Sequence, residues 1–403
     1  MGGENVTKYF ESFLDKDSLF KDKKILQSSY DPDNIIHRDE QINSIAQIMA
    51  PSLRGERPSN LFIYGKTGSG KTMCVKYVSN QMKMVAEERN IPLKIFYVNC
   101  KLKRIADTEY RLIAQLAREF GKEIPPTGLP TDEVYNIFVK ALEVKEQTII
   151  LILDEIDQLV SKAGDEIIYN LTRINSDLKN AQIAIIGISN DLAFTNNLDS
   201  RVKSSLSEEE LVFPPYNAIQ LQAILKERAK KAFKDEIVGE GVIEKCAAYA
   251  AREHGDARRA LELLRVAGEM AERLSSKKIM VEHIDEAEEK IERDKFVDIV
   301  ATQPKQFQAT LYSIFQVLSQ KNTPIYTGEV YEIYKEICNK TRLRPLTQRR
   351  VSDIIGEMDM LGLISAKVIS HGRFGRTREI SMNLSAQVKA KIKKIVEEDL
   401  GFA

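Results

Sequence analysis

Eight consecutive residues have the types and spacing needed to hold a chain of phosphates. They match the pattern G-x-x-x-x-G-K-S/T at every required position and are Gly65, Lys66, Thr67, Gly68, Ser69, Gly70, Lys71 and Thr72. The glycines would let the backbone turn so that successive N–H groups face the phosphates. Lys71 would reach the β- and γ-phosphates, and the Thr72 hydroxyl would ligate Mg²⁺. The alternative is a glycine-rich turn, but the apolar run 61–64 and the helix-compatible segment after the loop favour binding of a nucleoside triphosphate.

Two carboxylates supply groups for hydrolysis. Asp154 and Glu155 come directly after the apolar run 149–153. We expect Asp154 to hold the water shell of Mg²⁺, and Glu155 to orient or deprotonate the attacking water. Asn190, which follows the run 183–188, is expected to position the same water. The alternatives are an acidic helix N-cap for the carboxylate pair and an ordinary turn for Asn190.

These groups need a sheet that brings the ends of several strands together. Four continuous apolar runs, 61–64, 95–98, 149–153 and 183–188, alternate with helical segments, and a fifth, 211–213, ends at Pro214. Continuous runs are typical of parallel strands that are buried on both faces. The sequence therefore predicts a doubly wound α/β domain with its ligand at the carboxyl ends of the strands.

Length and composition limit the class of protein. The 403 residues predict two or three domains, and 59 basic and 59 acidic residues leave no net charge. Strand patterns end near Tyr216 and another pattern begins after Pro304, so we predict domains 1–215, 216–300 and 301–403. The four cysteines form no C-x-x-C pair, which disfavours a zinc site. No run is long enough to span a membrane and the N-terminus lacks a signal-peptide pattern, so we expect a soluble cytoplasmic protein.

The C-terminal part has the element order of a winged helix. Helices are predicted over 309–319, 327–339 and 347–361, followed by a hairpin of 363–370 with 377–383. Val351, Ile354, Ile355 and Met358 share one face of the third helix, which must pack inward. Gly356 then lies away from the core. Glycine costs about 1 kcal/mol of helix propensity relative to alanine, so close approach of DNA or of a neighbouring helix would explain it.

Basic residues are concentrated in this part of the chain. Positions 340–378 contain nine Lys or Arg against three Asp or Glu, a balance of +6. This segregation favours nucleic-acid binding over the alternative, a basic protein-binding surface. The residues expected to contact DNA are Arg342, Arg344, Gln348, Arg349, Gly356, Arg373, Phe374 and Arg376.

Together, the phosphate loop, the Asp154-Glu155 pair, Asn190 and the segments 198–205 and 255–261 resemble an AAA+ ATPase. With the winged helix added, the chain from about residue 30 to about residue 395 resembles the archaeal replication initiators of the origin-recognition/cell-division-control (Orc/Cdc) family. The resemblance implies an α/β AAA+ core with a parallel sheet, an α-helical lid and a C-terminal winged-helix domain.

The resemblance also implies roles for individual residues. Arg201 corresponds to an arginine finger and Arg258 to the lid arginine called sensor two, since a fixed charged fork stabilises γ-phosphate charge. The alternatives are a surface arginine for Arg201, an exposed helix residue for Arg258, and Arg259 as the one that reaches the nucleotide. Further nucleotide contacts are expected from Ile35, Ile36, Arg38 and Tyr216. The segment 99–128, with Lys101, Lys103 and Arg104, corresponds to a DNA-contacting insertion, although a solvated face is the favoured interpretation of these three charges.

The resulting hypothesis is an ATP-controlled DNA replication initiator. It would bind ATP or ADP with Mg²⁺, hydrolyse ATP weakly as a conformational switch, bind double-stranded origin DNA and help to load the replicative helicase. The helicase and paralogous initiator subunits are expected partners of a chromosome-associated protein that is a monomer in solution and can assemble on DNA. A winged-helix transcription regulator and a clamp-loader or motor subunit are the rival hypotheses.

Overall fold

The computed structural model describes residues 17–101, 108–125, 128–194, 198–206, 208–320, 325–370, 376–382 and 384–402. The chain divides into two compact units, Met1–Ile284 and Asp285–Ala403. The three-domain division at 215/216 and 300/301 remains a prediction.

The first unit is built on a parallel sheet of five strands in the order β2-β3-β4-β1-β5. The strands are β1 (Leu61–Gly65), β2 (Leu93–Asn99), β3 (Gln147–Asp154), β4 (Ala181–Ser189) and β5 (Glu209–Phe213). Each contains one predicted apolar run and extends it by one to three residues. Adjacent strands are parallel, and Asn99 lies opposite Asp154 in the register. The carboxyl ends of β1, β3 and β4 therefore meet at one edge, as predicted.

Helices cover both faces of this sheet, which confirms the doubly wound architecture. They are α1 (Asp39–Met49), α2 (Lys71–Glu88), α3 (Glu109–Glu119), α4 (Thr131–Leu142), α5 (Ile156–Ala163), α6 (Glu166–Arg173) and α7 (Ser200–Leu206). Alternate residues of a strand point to opposite faces. Leu151 accordingly packs in the core with α3 to α6, and Ile152 packs in the core with α1 and α2. Burial on both faces explains why the central strands β1, β3 and β4 are continuous apolar runs, whereas the edge strands β2 and β5 are more exposed.

A helical lid follows Pro214 in the same unit. It contains α8 (Ala218–Ala232), α9 (Val242–Arg252) and α10 (Ala257–Arg273). A capping box formed by Asn217 and Gln220 begins α8. The Asp256 carboxylate begins α10 by accepting hydrogen bonds from the backbone N–H groups of Arg258 and Arg259.

The described N-terminal residues form a strap on the lid. This strap, residues 17–36, contains a short 3-10 helix, Lys23–Leu26, rather than an α-helix. Phe20 bridges to Phe233 in antiparallel fashion, with ring centroids 4.7 Å apart. The Lys21 N–H donates to the Ala232 carbonyl at 2.8 Å. The strap thus connects the lid to α1, which begins directly after it.

The second unit is a winged helix. The chain enters it through α11 (Val281–Ala301), and its helices are α12 (Lys305–Gln320), α13 (Thr327–Thr341), α14 (Gln348–Met360) and α15 (Ala386–Leu400). The strands β6 (Ile325–Tyr326), β7 (Ser365–Ser370) and β8 (Arg376–Ser381) form an antiparallel sheet in the order β6-β8-β7. The predicted inward face of α14 is confirmed, because Val351, Ile354, Ile355 and Met358 are buried.

Among the described helices of both units, none is both long enough and apolar enough to cross a membrane.

Candidate nucleotide site and nucleic-acid interface

The phosphate loop connects β1 to α2 and needs glycine at two positions for steric reasons. Gly68 has φ +73°, and a Cβ there would lie 1.7 Å from Asp256 Oδ1 at the start of α10. Gly70 has φ +93°, and a Cβ there would lie 2.8 Å from the Tyr216 hydroxyl oxygen. Positive φ and close neighbours both disfavour any larger side chain. The Ala257 N–H also donates to the Gly68 carbonyl at 3.3 Å, so the lid contacts the loop directly.

The Lys71 ammonium is held at the centre of the sheet edge. It donates to the Gly65 and Lys66 carbonyls at 2.7 and 2.9 Å, and to Asn190 Oδ1 at 2.9 Å. The fixed ammonium lies beside the loop N–H groups that would face a phosphate. Asn190 is therefore brought to the loop from the end of β4, although its amide oxygen binds Lys71.

The Asp154 carboxylate is oriented by three donors. Its Oδ2 accepts from the Thr72 hydroxyl at 2.9 Å and from the Tyr97 hydroxyl at 2.6 Å, and its Oδ1 accepts from the Glu155 N–H at 3.0 Å. Burial and the hydrogen bond with Asp154 raise the pKa of Tyr97, which keeps the phenol a donor. The two bonds use both lone pairs of Oδ2, so Oδ1 has one left for a metal-bound water. Hydroxyl and carboxylate oxygens are the ligands that suit Mg²⁺.

Glu155 has an unusual backbone conformation. Its φ and ψ are 56° and 47°, in the left-handed region that residues other than glycine rarely occupy. Such strain tends to be retained where it directs a functional side chain. Glu155 lies in the wall of a cavity at this edge of the sheet, and its carboxylate is 3.7 Å from the Lys101 ammonium.

These groups line a cavity of about 480 Å³ within the first unit. Its volume lies within the range of sites that hold small ligands. Of the predicted nucleotide contacts, its wall contains Ile35, Ile36, Gly68, Gly70, Lys71, Thr72, Asp154, Glu155, Asn190, Tyr216 and Arg258. The strap and the lid contribute further lining residues that sequence reasoning missed, among them Tyr30, Ile224, Glu227, Arg228 and Leu261.

The lid presents Arg258, and not Arg259, to this cavity. Arg258 lies in the cavity wall. Arg259 forms ion pairs with Glu253 at 3.2 Å and with Glu262 at 4.0 Å. Neighbouring residues of a helix point about 100° apart, so the docking of α10 on the loop through Asp256 decides which arginine faces the cavity.

Arg38 does not line the nucleotide cavity, although it was expected to contact the nucleotide. Its side chain is 2% exposed and lies behind the phosphate loop. It donates to the Ser69 carbonyl at 2.9 Å and to the Pro214 carbonyl at 2.6 Å, and its guanidinium lies 3.8 Å from the centre of the Tyr216 ring. Arg38 therefore ties the loop to the start of the lid instead of lining the cavity.

Arg201 is not part of the wall of this cavity and lies at the start of α7. It pairs with Asp199 at 3.1 Å, and its guanidinium lies 5.4 Å from the Tyr169 ring centroid. Its side chain is 69% exposed. Such an exposed guanidinium is accessible to a second molecule.

The second unit exposes many of the predicted DNA contacts. Arg342, Arg344, Gln348 and Arg349 are all exposed around the start of α14, where the Thr347 hydroxyl caps the helix. Arg373 and Phe374 lie outside the described residues, as do Lys103 and Arg104 of the first unit. For Arg376, only the backbone, which begins β8, is described.

The space beside Gly356 is occupied by the protein itself. A Cβ on Gly356 would lie 3.2 Å from Arg378 Nη2. The expected explanations were DNA or a neighbouring helix, whereas the close neighbour is the guanidinium of a wing arginine.

Lys71 gives the site a predicted pH dependence. Burial lowers the pKa of its ammonium to about 8, and nearby Arg258 acts in the same direction while Asp154 opposes both. A bound polyphosphate would raise this pKa, so above about pH 8 binding must be accompanied by proton uptake. We expect the association constant for ATP to fall as the pH rises through 8, by up to about tenfold per unit. Calorimetry in buffers of different ionisation enthalpy would measure the proton uptake, and its absence about one unit above pH 8 would contradict this assignment.

Three family models match successive parts of the chain. An AAA domain matches residues 54–193, a Cdc6 AAA+ ATPase-type lid domain matches 222–289, and a CDC6 C-terminal winged helix domain matches 298–389.

Named relatives match nearly the whole chain. It is 51% identical over 385 residues to the ORC1-type DNA replication protein 1 of Methanosarcina acetivorans, covering 95% of this chain and 92% of the relative. It is also 51% identical over 385 residues to the ORC1-type DNA replication protein of Pyrococcus abyssi, covering 94% and 91%. Among solved structures, the Aeropyrum pernix ORC1 protein in complex with DNA is 42% identical, with a TM-score of 0.83 over 95% of this chain and 98% of that one. The Cdc6p structure from Pyrobaculum aerophilum is 21% identical, with a TM-score of 0.60 over 95% and 100%, and supports the fold alone.

Proposed function

The chain belongs to the archaeal ORC1/Cdc6 family of AAA+ DNA replication initiators, and we propose that it binds duplex origin DNA and helps to load the replicative helicase under the control of ATP. The observation that carries this proposal is the 51% identity to ORC1-type DNA replication proteins along 95% of the chain. The A. pernix ORC1 structure, which is described as a complex with DNA, supports a role for the winged helix in DNA binding.

The site suggests how ATP would act as a switch. The loop N–H groups and Lys71 would bind the phosphates, and Arg258 of the lid would add positive charge at the same ligand. The phosphates would then draw α10 towards the loop, which it already contacts through Asp256 and Ala257. Loss of the γ-phosphate would remove part of this attraction and loosen the lid.

Hydrolysis would depend on a different group of residues. Glu155 would orient or deprotonate the attacking water, and Asn190 would help to position it. Mg²⁺, held by Thr72 and through water by Asp154, would neutralise charge on the phosphates. Arg201 would supply the arginine finger to the nucleotide of a neighbouring molecule, which is supported by its exposure and its absence from the cavity wall. Turnover by an isolated chain would therefore be weak.

The proposed organisation follows the three matched segments. We propose the domains 1–215, 216–300 and 301–403 for the ATPase core, the lid and the winged helix, supported by family matches at 54–193, 222–289 and 298–389. The proposed partners are origin DNA, the replicative helicase and paralogous initiator subunits. The protein would be a chromosome-associated monomer that assembles on DNA.

Mapping of the protein along the chromosome tests this function. Chromatin immunoprecipitation should give peaks at replication start sites. Scattered peaks at promoters, without enrichment at replication starts, would favour a winged-helix transcription regulator. Depletion of the protein should also reduce the association of helicase with those start sites.

Arg349 gives a prediction for DNA recognition. It is exposed near the N-terminus of α14, the helix expected to enter the major groove, where base edges can be recognised. Arg349→Ala should cost about 1–3 kcal/mol on the specific duplex and less on a scrambled one. Titrations of both duplexes at several salt concentrations would measure the difference.

Matched variants make this test specific. Arg350→Ala removes the same charge one residue away, but Arg350 lies 3.9 Å from both Asp353 and Glu357 and should matter less. Arg373→Ala and Arg376→Ala in the wing should weaken both duplexes alike and reduce the salt slope by about one. Equal weakening of both duplexes by Arg349→Ala would contradict the assignment of α14 as the recognition helix.

A further inference from the structure

Arg228 is a buried arginine with one guanidinium nitrogen that has no hydrogen-bond partner among the residues that the structure describes. It lies on α8 of the lid, is 7% exposed and lines the nucleotide cavity. Its guanidinium lies 4.5 Å from the centre of the Tyr30 ring on the strap. Within the described parts of the chain, its Nη1 is enclosed without a hydrogen-bond partner. Buried polar groups are nearly always paired, so this guanidinium requires an explanation.

The charges around Arg228 do not supply a partner. Burial lowers the pKa of Arg228, and Tyr30, Glu227, Asp31 and Asp33 oppose this effect from a distance. The guanidinium of Arg228 is thus buried, and the acidic groups around it balance its positive charge only in part. A guanidinium in such a position binds a hydrogen-bond acceptor of a ligand strongly, because folding has already removed the guanidinium from water.

Arg228 lies beside the strap, 4.5 Å from the centre of the Tyr30 ring, whereas the Lys71 ammonium lies against the phosphate loop and Asn190. The charges that act on Lys71 are Asp154, Arg258, Asp157 and Asp256, whereas those that act on Arg228 come from the strap and from α8. The main charged groups that act on Lys71 thus differ from those that act on Arg228. A nucleotide with its phosphates on the loop would therefore present its nucleoside part to Arg228.

The cavity wall that contains Arg228 also has apolar side chains that suit a flat ring. Ile35 and Ile36 of the strap, Ile224 of α8 and Leu261 of α10 contribute apolar surface to this cavity. Apolar side chains can cover the faces of a base, and a few polar groups then fix its edge. Adenine offers unprotonated ring nitrogens at its edge, and these accept hydrogen bonds from a guanidinium.

We propose that Arg228 is a specificity-determining residue that donates a hydrogen bond to a ring nitrogen of the bound purine base, with its guanidinium held against Tyr30. The inference rests on the proposed ATP-binding function and adds a determinant at the base end of the same site. Because Arg228 belongs to the lid and Tyr30 to the strap, this contact links recognition of the base to the position of the lid.

The test compares ATP with inorganic tripolyphosphate, which has the phosphates but no base. We expect Arg228→Met to weaken ATP binding by about 10- to 100-fold, the effect of losing a hydrogen bond to a charged group, while tripolyphosphate binding stays unchanged. Lys226→Met is the matched control, because Lys226 is exposed on the same helix, pairs with Glu244 and lies outside the cavity wall. Lys71→Ala should weaken both ligands.

Analogues of ATP identify the contacted atom. The 1-deaza, 3-deaza and 7-deaza forms each replace one ring nitrogen by carbon. One of them should bind the wild type about tenfold or more weakly than ATP does, and this difference should disappear in Arg228→Met. Circular dichroism would show whether Arg228→Met folds. If it does not, the binding of the three analogues by the wild type and by the milder variant Arg228→Lys still provides the test.

The outcomes separate this inference from the proposed function. If the wild type binds neither ATP nor tripolyphosphate, the proposed function itself is wrong. If the wild type binds ATP and Arg228→Met binds it equally well, Arg228 does not contact the base, while the function stands. If Arg228→Met weakens the binding of ATP and of tripolyphosphate equally, Arg228 serves the packing of the lid. If the wild type binds all three deaza analogues as tightly as ATP, the proposed contact with the base is wrong.

Discussion

Replacement of Glu155 by glutamine is expected to leave ATP binding close to that of the wild type and to slow hydrolysis by about 10²- to 10⁴-fold. Glutamine keeps the size and hydrogen-bonding reach of the side chain but cannot accept a proton from water. The strained backbone at Glu155 belongs to the strand end and should be retained, because the Glu155 N–H bond to Asp154 does not depend on the side chain. Equilibrium nucleotide binding and single-turnover hydrolysis would measure the two effects separately.

Lys71→Ala provides the contrasting control. It removes the ammonium that binds the Gly65 and Lys66 carbonyls and Asn190, as well as the charge available to the phosphates. Tight ATP binding should therefore be lost, and hydrolysis with it. Normal hydrolysis by Glu155→Gln would show that Glu155 is not the base. Normal ATP binding by Lys71→Ala would show that the loop is not the phosphate site.

The second large effect concerns Arg201, whose loss should reduce hydrolysis in assemblies on DNA by about 10³- to 10⁵-fold, the contribution of an arginine finger. The reason is its location, since the side chain is 69% exposed and lies outside the wall of its own nucleotide cavity. A mixture of inactive Lys71→Ala with inactive Arg201→Ala should regain hydrolysis, because the first supplies the finger and the second supplies an intact nucleotide site.

The mixing ratio and the DNA length control this experiment. Rescue should require both variants on one DNA long enough for two molecules, and each variant alone should remain inactive on the same DNA. Arg173→Ala is a suitable comparison, since Arg173 also lies beside Tyr169, with its guanidinium 5.4 Å from the ring centroid. Absence of rescue at every concentration and DNA length would leave Arg201 acting within its own chain or serving only the α7 region.

Much of the fold is determined by local features of the sequence. The central strands β1, β3 and β4 are continuous apolar runs because both of their faces are buried, and such runs are visible without knowing which strands pair. The phosphate loop is equally local, since its glycines, Lys71 and Thr72 lie within eight residues. The inward face of α14 follows from helical periodicity alone.

The partners of these local elements were decided only in the folded structure. Tyr97 reaches Asp154, Arg38 reaches Ser69 and Asp256 reaches Gly68 across 57, 31 and 188 residues of sequence. The strand order β2-β3-β4-β1-β5, which is not encoded in any single segment, brings Tyr97 to Asp154. The other two contacts come from the packing of α1 and of the lid against the phosphate loop.

The sequence alone also does not distinguish Arg258 from its neighbour Arg259 as the residue that faces the nucleotide. Both are arginines in the first turn of α10, and sequence reasoning left both open as the residue that reaches the nucleotide. The docking of Asp256 against Gly68 fixes the rotation of the helix and leaves Arg258 in the cavity wall. Residue type and spacing thus determined which chemistry this chain can perform, whereas long-range packing decided which side chains perform it, because side-chain direction depends on contacts between elements far apart in the sequence.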